Sequence, residues 1–229
     1  LKSINAKHLA LVTQCLDLTV SILPHVRAAL MAQLPSKQHA LLTDLDRIKR
    51  EYKEHNERVL AKFVSIIGGI VEHGLAPRIG RTDFDARAAK EGVPDSKADP
   101  NAKVSCCPFL EGISTNARKM HQVLGSLLPP EDLQDVFSRI FAYVDTKVPA
   151  LFLAAASAEG GAQQQQQGGG KAAPPSFKMP ETDGGKSRMV AEVDAMCRNL
   201  NGLGGVRPWD FRAGRILERE LGMLGVTRG

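Results

Sequence analysis

Across residues 1–158 apolar side chains recur every three or four positions, and no other feature restricts the fold as tightly. That spacing lines one side of a helix, whereas a half-buried strand alternates with a period of two. In the opening segment Ile4, His8, Leu11, Cys15, Leu18 and Ile22 form one stripe. Leu9, Val12, Leu16, Val20, Leu23, Val26 and Leu30 form a second beside it. Two neighbouring stripes predict a helix packed against more than one partner. Pro24 removes one backbone donor, but the periodicity continues to Leu30, which predicts a single bent helix.

Pro35 then opens a tight connection, and Ser36 is placed to cap a second helix. Leu41, Leu45, Ile48, Tyr52, Val59, Phe63, Ile66 and Ile70 carry its stripe. At about 1.5 Å per residue, a helix from Ser36 to His73 is a rod of roughly 55 Å. Its other face sets Arg47/Glu51, Arg50/Glu54 and Lys53/Glu57 at i,i+4, which reads either as a solvated face or as a basic docking surface. Residues 74–103 lose the pattern and predict a long polar connection, functional or merely disordered. A third helix follows over about Ser105 to Leu128, and Pro130 with Glu131 and Asp132 opens a fourth that runs to about Ala158. The Gln/Gly/Pro stretch 159–186 is too poor in apolar groups to fold. A short helix from Ser187, its own N-cap, to about Leu200 and a weaker one after Pro208 close the chain. Scarce aromatics, at 5%, and many Lys, Arg, Glu and Gln agree with an all-α fold. The expected organisation is an elongated antiparallel helical bundle: core 1–158, disordered linker 159–186, and a C-terminal helical segment 187–229 packed on the bundle.

Chemistry is harder to find. Gly185-Lys186-Ser187 matches the tail of a phosphate-binding loop, but Pro180 stands where its first glycine belongs, with no strand before it. His8 and Cys15 lie on an apolar stripe, which predicts a hydrogen-bonded core histidine and a small buried thiol. Glu51 and His55 share a face without a second pair of ligand-like spacing, so no metal site is expected. Cys106 and Cys107 precede Pro108 at a helix start, where the dipole can lower a thiol pKa, yet no base completes a nucleophile. No cofactor motif and no catalytic constellation emerge, and the expectation is a protein without enzymatic activity. The four cysteines contain no C-x-x-C and fit a reducing cytosolic setting. A formal charge of +5 is too small to argue for nucleic acid. No unbroken apolar run approaches about 20 residues, and no signal-peptide pattern is visible. A start at Leu1, inside a helical pattern, predicts a piece of a longer protein.

The runs 1-LKSINAKHLALVTQCLDLTVSILPHVRAAL-30, 34-LPSKQHALLTDLDRIKREYKEHNERVLAKFVSII-67 and 114-STNARKMHQVLGSLLPPEDLQDVFSRI-140 add a further sign. In this order they resemble the C-terminal domain of the vacuolar protein sorting-associated protein fifty-four family. The resemblance implies a helical-rod subunit of the Golgi-associated retrograde protein complex, a vesicle tether for endosome-to-Golgi retrograde transport. It also implies a peripheral place on the cytosolic face of the trans-Golgi network and endosomes. Its implied partners are other tethering-complex subunits, bound through coiled-coil segments of the parent chain, and endosomal or vesicle membrane-associated proteins, with room for peripheral membrane contact. Basic side chains outside the stripes, Arg47, Arg50 and Lys53 on the second helix and Arg118 and Lys119 on the third, are the expected interaction surface. A helical scaffold for another cytosolic complex is the alternative. The loops 74–103 and 159–186 and the end 206–229 depart from the family and inherit nothing from it.

Overall fold

The computed structural model describes residues 5–93, 105–157 and 177–223, and among them there are helices and connecting turns but no strand. The fold is all-α, as the periodicity predicts. Most of the expected linker lies outside the described residues.

Helix α1 spans Ala6–Gln33 and carries Pro24 inside it. Asn5 caps it, its side chain accepting the His8 N–H at 3.0 Å. A 3₁₀ turn over Ser36–Leu42 leads into α2, Thr43–Gly69. Asp17 meets Asn56 at 2.7 Å and Arg27 meets Asp46 at 3.3 Å, so the partners run in opposite order and the two helices form an antiparallel hairpin. The His39 ring nitrogen, 3.1 and 3.0 Å from the Met31 and Leu34 carbonyls, fastens its tip.

The second rod does not run straight to His73. After Gly69 the chain tightens through a π-helical turn, Ile70–Leu75, and a 3₁₀ turn, Ala76–Arg81, which bury Val71, Leu75 and Ile79. The π turn sits so close to α4 (Pro108–Leu124) that a Cβ on Gly112 would stand 2.6 Å from the Leu75 side chain. Where a featureless loop was expected, α3 forms over Phe84–Glu91, and the Asp83 side chain accepts the Ala86 N–H at 2.9 Å. Its Phe84 ring meets Phe152 and Phe177 edge-on, with centroids 5.9 and 6.2 Å apart.

Helix α5, Pro130–Ser157, is the rail on which the bundle is built. Its Leu133, Val136, Phe137, Ile140, Phe141, Val144, Val148 and Phe152 are all buried. Helix α6, Asp183–Asn201, starts four residues before the expected Ser187, with Thr182 as cap. It is buried on almost every side, against α3, α4 and α7 (Ala213–Glu220). One apolar cluster joins all of these elements, from Leu9 to Leu217.

Three helical stretches reach the length and mean hydropathy of a membrane span, which corrects the count of unbroken runs: Ala6–Gln33, Ser36–Arg81 and Pro130–Ser157. Isolated small polar residues such as Thr13, Thr19 and Ser21 interrupt the runs without lowering the average. In the α1 window only 17% is buried, against 39% in the other two.

Helix α6 brings an ion cluster into the interior. The Glu192 carboxylate, fully buried, accepts Arg188 Nε at 2.6 Å, Arg87 Nε at 2.9 Å and the Cys107 N–H at 2.6 Å. Arg188 also donates to the carbonyls of Gly92 and Ser105, at 2.8 and 3.0 Å, and to Glu91 at 2.7 Å. Every hydrogen-bonding arm is thus occupied, the condition under which a buried pair is tolerated. Glu192→Ala removes the buried one of the two carboxylates that Arg188 meets and leaves the Arg188 Nε and the Cys107 N–H without their acceptor. The expected cost is about 3–5 kcal/mol of unfolding free energy, measured by urea denaturation.

Candidate interaction surface

The hairpin is packed along only half its length. In α1 the buried residues are Leu9, Ala10 and Thr13, and in α2 they lie between Asn56 and Gly68. Beyond the Asp17–Asn56 pair the two helices cover mainly each other. Leu18, 61% exposed, Ile22, Val26 and Leu30 line the outer half of α1, and Leu41, 70% exposed, lies at the tip. Leu11 and Val12 extend the row inward. From His8 to Ile22 the first apolar stripe, expected in the core, faces solvent, Cys15 with it, and Ile4 lies outside the described residues. Only the inner part of the second stripe, at Leu9, reaches the core, with Leu16 half-buried. A row of large aliphatic side chains left open along one helix is a candidate binding face.

The five basic residues fall into two settings. Arg47, Arg50 and Lys53 are exposed on the outer half of α2. Arg47 is held by Asp44 at 3.4 Å and Glu51 at 2.7 Å, and the Glu51 hydrogen bond first, then its charge, raises the guanidinium pKa. Glu57 does not pair with Lys53 as its spacing suggested but with Arg139 of α5, at 2.7 Å. Arg118 and Lys119 are exposed on α4, where Arg118 borders a recess with Cys106, Glu111 and Asn199. The trio therefore lies on the helix that pairs with the one carrying the bare apolar row, and the α4 pair lies along the packed body.

The phosphate-loop likeness has a structural answer. Asp85 of α3 fills the N-terminus of α6: its carboxylate accepts the N–H groups of Glu181 at 2.9 Å and Thr182 at 3.0 Å, and the Thr182 hydroxyl at 2.5 Å. A Cβ on Gly185 would stand 2.0 Å from that carboxylate, so the chain's own anion occupies the place a phosphate would take. Burial works to raise the Asp85 pKa, but the Thr182 hydroxyl and the two backbone donors outweigh it and hold it low.

The thiols are inert rather than activated. Burial, then the Glu192 charge, pushes Cys106 up to about 12, and burial pushes Cys107 up to about 11. Among the described residues no group of three or more His, Cys, Asp or Glu side chains is arranged so that it could hold a metal ion. Sequence reasoning missed Asp85, Arg87, Arg188 and Glu192; the Asp83 cap before Phe84 and the Arg188/Glu192 spacing were the available signals.

A family model described as Vps54-like protein matches residues 1–69, a range that contains the α1–α2 hairpin. The chain is 33% identical over 142 residues to vacuolar protein sorting-associated protein 54 of Homo sapiens, covering 62% of this chain and 12% of that protein. It is 26% identical over 151 residues to the Arabidopsis thaliana protein named vacuolar protein sorting-associated protein 54, chloroplastic, covering 64% of this chain and 13% of that one. With the Caenorhabditis elegans protein it shares 24% over 140 residues, 61% of this chain and 11% of the other. The chain thus spans about an eighth of the length of the curated relatives it matches. No solved structure gives a significant match. The resemblance read from the sequence is borne out.

Two predictions follow from the geometry. Leu18→Ser with Ile22→Ser should change unfolding free energy by less than about 1 kcal/mol, while Phe63→Ala, fully buried in α2, loses about 3–5 kcal/mol in the same urea titration. Because the folded pKa of Asp85 lies below its ordinary 3.8, its stabilisation is complete above that value and lost as pH falls through the depressed one. Asp85→Asn should therefore be less stable than the parent at pH 7, with the difference shrinking on acid titration followed by circular dichroism.

Proposed function

We propose that this chain is the C-terminal domain of a Vps54-family subunit, a non-enzymatic part of a vesicle-tethering complex acting in retrograde transport from endosomes to the trans-Golgi network. The observation that carries this reading is the collinear similarity to vacuolar protein sorting-associated protein 54 over 142 residues. The domain works on the cytosolic face of those membranes as a peripheral element, with other tethering-complex subunits engaged through the parent chain.

The hairpin is the part that engages an endosomal or vesicle membrane-associated protein. Its bare aliphatic row on α1 supplies area, and Arg47, Arg50 and Lys53 on α2 supply charge. A hairpin with an apolar row on one helix and basic groups on the other suits a partner surface that carries both apolar and acidic side chains. Exposed cations add about 1 kcal/mol each at most, so single changes are expected to be silent.

The trio is therefore reversed together, Arg47→Glu, Arg50→Glu and Lys53→Glu, in the parent chain. Membrane recruitment should fall severalfold by fractionation, while co-immunoprecipitation of the other subunits is unchanged. Lost assembly with normal recruitment would reverse the assigned roles, and loss of neither removes this face from the mechanism.

A further inference from the structure

Helix α1 has two opposite seams and its own fold covers one. Leu9, Thr13, Leu16, Val20 and Leu23 step by four and three and are buried or half-buried against the rest of the chain. The side chains at 11, 15, 18, 22, 25, 29 and 32 keep the same alternation on the other side, and all are exposed. An unbroken alternation of four and three is the period at which two helices pack knobs into holes, and here it lasts about three heptads, or about 30 Å. The exposed seam and its flanks carry no carboxylate and no fixed cation. After Lys7 the charged residues of α1 are Asp17 and Arg27, both half-buried and engaged by Asn56 and Asp46 of α2. The seam therefore suits an uncharged helix.

Its taper says which one. Bulk lies at the inner end, at Leu11, and small side chains, Ala29 and Ala32, at the outer end. Laid antiparallel on a second copy with Ile22 at the two-fold axis, the seam sets Leu11 against Ala32, Cys15 against Ala29 and Leu18 against His25, each contact occurring twice. Large then meets small toward both ends, the condition for even packing. A parallel pair would set Leu11 against Leu11 and Ala32 against Ala32, and would splay at one end. A bilayer asks for neither the alternation nor the taper, and α1 has no Trp, Tyr or Phe to seat in an interface.

We propose that two copies of this chain associate through α1, antiparallel about Ile22, so that each hairpin covers the open seam of the other. The seam is short beside most specific interfaces, which puts half-association on the order of 50 µM. The dimer does not depend on the partner assigned to the hairpin; it covers Leu18 and Ile22, so the two exclude each other.

The test is sedimentation equilibrium of the reduced 229-residue chain, from about 2 to about 200 µM. The mass should climb from the monomer's 24.7 kDa toward twice that value. Leu18→Glu should weaken association at least about tenfold, since it buries a carboxylate in the seam. Its circular dichroism should match the parent's, because residue 18 is exposed in the monomer. Adding His25→Lys should restore the dimer, as only the antiparallel register brings position 18 of one copy against 25 of the other. Within one helix those positions are two turns apart, about 10 Å, too far to pair. A monomer at every concentration would overturn the proposal. So would a mass rise indifferent to Leu18→Glu, which puts the contact elsewhere, or a failed rescue by His25→Lys, which removes the antiparallel register. Flotation of a monomeric chain with neutral phosphatidylcholine vesicles, lost in Leu18→Glu, would make the row a lipid face and overturn it too. Reversal of Arg47, Arg50 and Lys53, none of them on α1, should leave the mass curve unchanged, so this outcome and membrane recruitment are read separately.

Discussion

The Glu192 carboxylate is the fixed point of the bundle. It lies wholly out of solvent, and three elements converge on it because each brings a donor it needs: Arg87 from α3, the Cys107 N–H from the start of α4, and Arg188 from its own helix. Arg188 reaches on to carbonyls at Gly92 and Ser105, so the end of α3 and the approach to α4 are tied to one guanidinium. A buried charge pair stabilises little by itself, but it tolerates few arrangements. The apolar surfaces of α3, α4 and α6 could slide over one another at small cost; the ion cluster fixes their register. Phe84, Phe109, Phe152 and Phe177 then close as a set of tilted and edge-on rings around the end of α5.

Comparison of two ion pairs shows what sequence spacing leaves open. Arg47/Glu51 and Arg188/Glu192 are both Arg–Glu pairs at i,i+4. The first is over half exposed on each side, where such a pair adds a few tenths of a kcal/mol. The second is 3% and 0% exposed and holds the fold together. Nothing local separates them; burial does, and burial depends on what the rest of the chain places above.

The same limit explains which parts of the architecture were legible. The helices at α1, α2, α4 and α5 follow from their periodicity, because long amphipathic segments declare themselves. Helix α3 does not, since among its residues only Phe84 is buried and eight residues cannot show a period. The early start of α6 depends on Asp85, nearly a hundred positions away, so only the folded chain reveals it. The stripe Leu11, Leu18 and Ile22 was legible as apolar, and its face was real. Its partner was an assumption, because periodicity locates a face without saying whether this chain covers it. The basic five were legible as exposed, but their division between the hairpin and α4 needed the tertiary arrangement.

That division bears on how the hairpin can work. Its outer half has no core of its own, so its direction is set where it leaves the bundle. The contacts there are largely polar: Asp17 with Asn56, Gln14 with the Leu127 carbonyl, and Arg139 with Glu57. Apolar packing begins just inward, at Ala10, Val59 and Leu60. Polar contacts are short-ranged in geometry and sensitive to charge, whereas the packing behind them responds mainly to volume. A change of charge at this neck can tilt the exposed row without loosening the core, and a cavity in the core can lower stability without redirecting the row. Presentation of the surface and stability of the fold are thus set by different residues.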